Sequence, residues 1–382
     1  MGKTVKRVNN RTLASIALVG AFAATLTACG ADATTSATTG ASNDASTEAA
    51  ADLSGNLAGA GATSVEKAMG GWIAKFGEVA PDVTVSYEGV GSGGGREQFL
   101  AGGVQFAGSD SALTAEEAAA AVDRCFGGEA IELPLYISPI AVVYNLPGVD
   151  AEHLNMSPAT IAKIFSGQIT TWNDPAIAAE NEGVTLPALA IVPVNRSDES
   201  GTTKNFTDYL AKASEGAWTY EASGDWPISG TQSGNGTSGL IDTVSGAEGA
   251  IGYADASRAG DLGTVALKVG DEYVPFSTEA AAKVVDASPR ADDATDKRLV
   301  VKLDRTTTEA GAYPLVLISY SIACSAYDDA ADAANVKAFL SYVASPEGQE
   351  LASDAKVAGS APISDSLRTE VQAAIDSITV QG

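Results

Sequence analysis

Histidine is almost missing from this chain: His153 is the one instance in 382 residues, and cysteine occurs three times. That scarcity leaves no His-rich or Cys-rich cluster to hold zinc or a related metal, so no metal and no cofactor is expected. Neither Gly-x-Ser-x-Gly nor the phosphate loop ending in Gly-Lys-Ser/Thr occurs, which removes two common enzyme signatures. Basic residues are also scarce, 23 against 48 acidic, for a net charge of −25. Such a balance argues against nucleic acid and against docking on anionic lipid headgroups. A small anion stays open, because backbone donors at contact distance outweigh a diffuse global field.

Long apolar runs are few as well. Residues 13–26 form an uncharged stretch of about 14, short of the roughly 20 that a spanning helix needs. It follows Lys3, Lys6, Arg7 and Arg11 and ends in Leu26-Thr27-Ala28-Cys29. A basic leader, a short apolar core and small residues before a cysteine describe an export signal over residues 1–28. The site resembles a lipobox, which makes Cys29 the acylated first residue of the mature chain. The alternative is an ordinary secretory signal with a chance cysteine. Residues 29–54, rich in Ala, Thr and Ser, cannot bury enough apolar surface to offset their ordering entropy and read as a tether. Some 330 residues remain, a size that favours two domains. In an exported chain Cys125 and Cys324 suggest one disulfide, with two buried free thiols as the alternative.

Beyond the tether, strand and helix signals alternate. Val65, Met69, Trp72, Ile73 and Phe76 fall at helical spacing, and Val83, Val85 and Tyr87 alternate as in a strand. Gly91 to Gly95 open a helix through Phe99, and Val104 and Phe106 read as a strand ending at Gly108-Ser109-Asp110. Ile191, Val192 and Val194 lead into Arg196 to Thr202, after which Phe206, Tyr209 and Leu210 share a helix face. Strand, small-residue loop, helix, repeated, predicts an α/β fold with a largely parallel sheet and a ligand site beyond the strand ends.

Three of the loops place hydroxyls beside glycines just before helices: Ala62-Thr63-Ser64, Gly91-Ser92-Gly93 and Arg196 to Thr202. Free N–H groups at a helix start suit an oxyanion, glycine lets the backbone come close, and Arg196 adds a planar two-donor cation. Taken singly, each is more often an N-cap or a plain turn. Asp110 is the odd member. It is either a surface acid, a salt-bridge partner of Arg196, or an acceptor for the proton of a protonated oxyanion. An ionised carboxylate only accepts hydrogen bonds, so it would favour phosphate, which keeps a proton near neutral pH, over sulfate, which keeps none.

As a set, these stretches resemble the phosphate-binding component of the high-affinity phosphate ABC transporter. Gly59 to Thr63, Gly91 to Gly94, Gly108 to Asp110 and Arg196 to Thr202 match in order, and Ile164 to Ile169, Thr171 to Asp174 and Gly249 to Tyr253 resemble further family segments. The resemblance implies two α/β lobes, as in periplasmic binding proteins, closing like a hinged clamp with two chain crossovers near Tyr136 and Tyr313. Lobe I is then residues 55–136 with 314–382, and lobe II residues 137–313. It implies hydroxyl donors at Thr63, Ser92, Ser200 and Thr202, and backbone donors at Ser64, Gly201 and Thr202. Arg196 pairs with the anion, Asp110 accepts its proton, and Asp198 orients Arg196. Ser64 stands where some members carry an aromatic residue, and its role is expected to lie mainly in its backbone. The partners implied are inorganic phosphate and the permease and ATPase subunits of an importer. A monomer held by its lipid on the extracytoplasmic face of the cell membrane is expected.

A phosphatase or other hydrolase is the rival class. His153 sits outside the motifs and reads as a surface or capping histidine, and Ser200 has no evident base beside it, so it is not assigned as a nucleophile. A clamp for sulfate, molybdate or an organic phosphate, and a surface sensor or adhesin, are the other binding readings. Trp72, Trp172, Trp218 and Trp226 could form a sugar platform, but Trp72 lies on an apolar helical stripe and Trp172 in a family segment, which favours core or lobe-surface positions.

Overall fold

The computed structural model describes residues 53–381. The export signal, Cys29 and nearly all of the tether lie outside them. From the first strand the chain runs β1 (Gly55–Gly61), α1 (Glu66–Val79), β2 (Val83–Gly89), α2 (Gly91–Leu100), β3 (Phe106–Ser109) and α3 (Ala115–Arg124). Next come β4 (Ala130–Tyr144), β5 (His153–Met156), α4 (Pro158–Phe165), α5 (Pro175–Glu180), β6 (Val192–Arg196) and α6 (Gly201–Ala213). Then follow β7 (Gln232–Gly234), α7 (Gly236–Ser245), β8 (Ala250–Asp255), β9 (Gly263–Val269), β10 (Glu272–Val274) and α8 (Thr278–Ala287). The chain closes with β11 (Val316–Cys324), β12 (Ala326–Tyr327), α9 (Ala330–Ala344), α10 (Pro346–Ser353), α11 (Asp365–Asp376) and β13 (Thr379–Val380).

Helix starts follow local chemistry. Thr114 and Glu117 form a reciprocal capping box on α3. Ser157 caps α4 with Pro158 in its first turn, and Ser200 caps α6.

Eleven of the described strands join one sheet, whose main path is β2-β1-β3-β11-β4-β8-β6-β7. The α/β class is as expected, but the sheet is mixed rather than largely parallel. β1 runs parallel to β2 and β3, and β6 runs parallel to β7 and β8. At the centre, β11 is antiparallel to both β3 and β4, and β4 is antiparallel to β8. The reason is connectivity. Parallel neighbours need crossover helices, whereas β4 and β11 run past each other as two long strands joining the halves.

β4 is fifteen residues long and buried throughout. Its stretch up to Pro139 pairs with β11, and from Ile140 it pairs with β8. Pro134 is tolerated inside this central strand because the register slips beside it, leaving Leu135 unpaired on the ladder. Gln349 donates to the freed Leu135 carbonyl at 3.0 Å.

Each half of the sheet carries an aromatic core. Trp72, Phe76, Phe106 and Phe339 are buried on one side, and the Trp72 indole N–H donates to Gly348 O at 2.7 Å. Phe165, Phe206 and Tyr253 pack together in the other, with Phe206 stacked on Tyr253 at 4.1 Å. Trp172 is fully buried and donates to Gly249 O, while Trp218 and Trp226 pack at a tilt within the second core. No tryptophan platform forms on the surface of the described residues. Cys125, at the end of α3, is bonded to Cys324, at the end of β11.

Candidate functional site: convergent loops around Asp110

The loops following β1, β2, β3 and β6 meet in one place, and the loop after β7 joins them. Asp110, directly after β3, is their centre. It is 3% exposed. Its carboxylate accepts the Ser64 hydroxyl on both oxygens, at 2.7 and 2.8 Å, and the Thr202 hydroxyl at 2.8 Å. Its own N–H donates to Ser92 Oγ at 3.1 Å, and its carbonyl accepts from Asn205 Nδ2 at 2.6 Å. Burial raises the Asp110 pKa; the hydroxyls of Ser64 and Thr202, and then the charge of Arg196, work against that rise.

Arg196 ends β6 and is buried. Its Nε donates to Asp198 Oδ1 at 2.8 Å, and its Nη2 to Asp198 Oδ2. Asp198 also accepts the N–H of Gly236 at 3.0 Å. Burial acts to raise the Asp198 pKa, but its bonds and charge interaction with Arg196 prevail and hold it below the usual carboxylate value. Asp198 therefore holds the guanidinium plane through two parallel bonds.

Ser200 caps α6, its Oγ accepting from Thr203 N–H at 3.1 Å. Gly201 lets this helix start press against the loops of the opposite half. A Cβ there would lie 2.5 Å from Ser92 Oγ and 2.7 Å from Asp110 Cβ. Thr63 meets Thr237 of α7, with 2.8 Å between hydroxyls and 3.0 Å from Thr237 N to Thr63 Oγ1.

The structure thus gathers Thr63, Ser64, Ser92, Asp110, Arg196, Asp198, Ser200, Gly201 and Thr202. Two hydroxyls are used differently from expectation. Ser64, expected to act through its backbone, gives its hydroxyl to Asp110. Thr202, expected to give its hydroxyl to the ligand, gives it to Asp110 as well. His153 lies elsewhere, half-buried on β5, with Nδ1 2.6 Å from Thr264 Oγ1 of β9. It is a strand residue rather than a cap.

Gly236, Thr237, Asn205 and Arg96 join the site without having been expected from sequence reasoning. The run Gly234-Asn-Gly-Thr-Ser238 carries the same glycine and hydroxyl pattern as the other loops, a signal sufficient to find it. Arg96 gives no loop signal because it sits inside α2. It is buried, bonding Glu117, Ser109 and Ser111, and it lies 3.4 Å from Glu199 beside Ser200.

Comparison with known proteins places the chain as a whole. A family model described as a PBP superfamily domain matches residues 37–347. The phosphate-binding protein PstS2 of Mycobacterium bovis BCG is 36% identical over 378 residues, covering 97% of this chain and 99% of that protein. The chain belongs to the PstS family of the PBP superfamily. PstS 3 of Mycobacterium leprae is 35% identical, over 84% of this chain and 86% of its own length. Among solved structures, a high-affinity periplasmic phosphate-binding protein called PfluDING, bound with phosphate, superposes with a TM-score of 0.66 at 22% identity. It covers 84% of this chain and 93% of its own. A phosphate-binding protein from Stenotrophomonas maltophilia superposes at 0.62 with 19% identity, over 84% and 94% of the two chains. These likenesses establish a PBP-like α/β fold, consistent with a two-lobed clamp.

Proposed function

We propose that this chain captures inorganic phosphate between its lobes, outside the cytoplasm, and delivers it to the permease and ATPase of an ABC importer. The observation that carries this reading is a buried carboxylate and a buried guanidinium facing one cradle of hydroxyls and helix starts. Arg196 and the first-turn N–H groups of α6 supply positive potential for an anion. Asp110 supplies an acceptor that only a protonated oxyanion satisfies, which selects phosphate over sulfate. Ser64 and Thr202 orient the Asp110 carboxylate for that task. The names of the PstS relatives and of the phosphate-bound neighbours support the ligand.

The lobes are residues 55–136 with 314–382, and residues 137–313. Support comes from β4, which changes partner from β11 to β8 after Pro139. Phosphate touching both lobes stabilises the closed clamp through contacts that an open one lacks, and the permease then recognises loaded protein. The protein acts by binding rather than catalysis in this reading, with the Ser200 hydroxyl serving as a helix cap that accepts from Thr203 N–H. It works as a monomer held by a lipid, such as palmitate, on Cys29.

Isothermal titration of protein freed of phosphate tests the reading. One-to-one heat with phosphate and none with sulfate is expected, and D110N should admit sulfate. Heat from both anions in the unaltered protein would retain the clamp and remove the role given to Asp110. Heat from neither would leave a surface sensor or adhesin as the better account. Mass spectrometry of the membrane-extracted protein tests the lipid on Cys29.

A further inference from the structure

Asn205 lies on α6, one turn past the cap, and reaches out of its own helix. Its Nδ2 donates to Asp110 O at 2.6 Å and to Gly201 O at 2.9 Å. Its Oδ1 accepts from Arg305 Nη2. Arg305 is 3% exposed and anchored independently: Nη1 donates to Pro314 O at 2.9 Å and to Val316 O at 2.7 Å, and Nε to Asp208 at 3.0 Å.

This chain of bonds permits one amide orientation. A guanidinium only donates, so the atom facing it has to be the amide oxygen. The NH2 group then faces two carbonyl acceptors, one belonging to Asp110. Asn205 and Asp110 fall in opposite lobes of the proposed clamp, so the bond to Asp110 O exists only when the lobes are together. Resting on the phosphate-clamp reading, we infer that Asn205 is a positioning residue for closure. It fixes the backbone of the proton-accepting Asp110 from the other lobe, and Arg305 holds its amide in the one useful sense. Arg305 also grips the carbonyls where the chain enters β11, so the same residue ties the returning crossover to the site.

Two substitutions separate this role from simple fold support. N205D keeps an acceptor for Arg305 and strengthens that contact into an ion pair, but turns a second oxygen toward the carbonyls of Asp110 and Gly201. N205A removes both functions. If Asn205 only supports the fold, phosphate affinity tracks stability, and N205D binds better than N205A. If it positions Asp110, the order inverts. N205D then has the higher unfolding midpoint without phosphate, yet binds phosphate at least about tenfold more weakly than the unaltered protein. It is also the weaker binder of the two variants. Midpoints without ligand and titrations with inorganic phosphate provide both readings. Affinities that follow stability, or an unaltered Kd in either variant, overturn the inference. Should the unaltered protein itself give no heat with phosphate, the proposed function fails instead.

Discussion

Replacing Asp255 by Asn removes a carboxylate from one of the driest places in the molecule. Asp255 ends β8 and is fully buried. Its Oδ2 accepts from the Tyr136 hydroxyl of β4 at 3.0 Å, and its Oδ1 from Ser257 N–H at 3.0 Å. Burial pushes its pKa from 3.8 to about 6, opposed by hydrogen bonds from Ser257, Ser138 and Tyr136. The folded protein thus holds this proton more tightly than the unfolded chain, and stability falls as pH rises between the two values. A gap of about two units corresponds to roughly 3 kcal/mol, lost in full above the folded pKa. With an unfolding entropy of about 2.1 cal/mol/K per residue over roughly 330 residues, that is about 4 °C in Tm. An Asn amide still accepts from Ser257 but never ionises. Scanning calorimetry across pH should find D255N more stable by a few degrees at about pH 8, with the gain gone below about pH 4. A difference between the two proteins that stays constant over this range would refute the burial argument.

Removing the bridge with C125A and C324A together should cost up to about 5 kcal/mol, from the loop entropy of the 199-residue separation. Melting curves with and without reductant should show the unaltered protein falling to the level of the double variant. R196A should weaken phosphate binding about a hundredfold or more, as removal of one member of a buried charge pair leaves the Asp198 charge without its cation; titration reads this directly. G61A should yield little folded protein by circular dichroism. Gly61 sits at φ +146°, and a Cβ there would collide with the Gly108 carbonyl oxygen.

The parts of the site that local chemistry builds are legible in the sequence alone. Ser200-Gly201-Thr202 announces a capped helix start whatever surrounds it, and the loops at Thr63 and Ser92 mark helix starts by their glycines and hydroxyls, although neither helix carries a side-chain cap. Asp198 two residues after Arg196 is close enough along the chain to reach back. What stays hidden depends on packing across the molecule. The three-residue β7 has no alternating pattern to mark it, so the Thr237 loop behind it does not stand out. Asn205 looks from helical spacing like an ordinary polar residue on α6, and its partners Asp110 and Arg305 lie 95 and 100 residues away. The hydroxyl of Ser64 finds Asp110 across 46 residues, a pairing that no spacing rule encodes. The mixed sheet is masked by β4, whose two prolines interrupt the pattern of a central strand until the slip at Leu135 is seen.

The Cys125–Cys324 bond also changes what damage can do. Covalently, the described chain is a closed ring with two tails, residues 53–124 and 325–381. Asp110 lies on one tail and Arg196 within the ring. A single backbone cut anywhere between the two cysteines opens the ring but frees no fragment. Both halves of the anion site remain parts of one molecule until a second cut is made or the bond is reduced. A nicked protein should therefore run as one species without reductant and as two with it, and under the export proposed above, where proteases are met, that continuity is a form of durability independent of folding free energy.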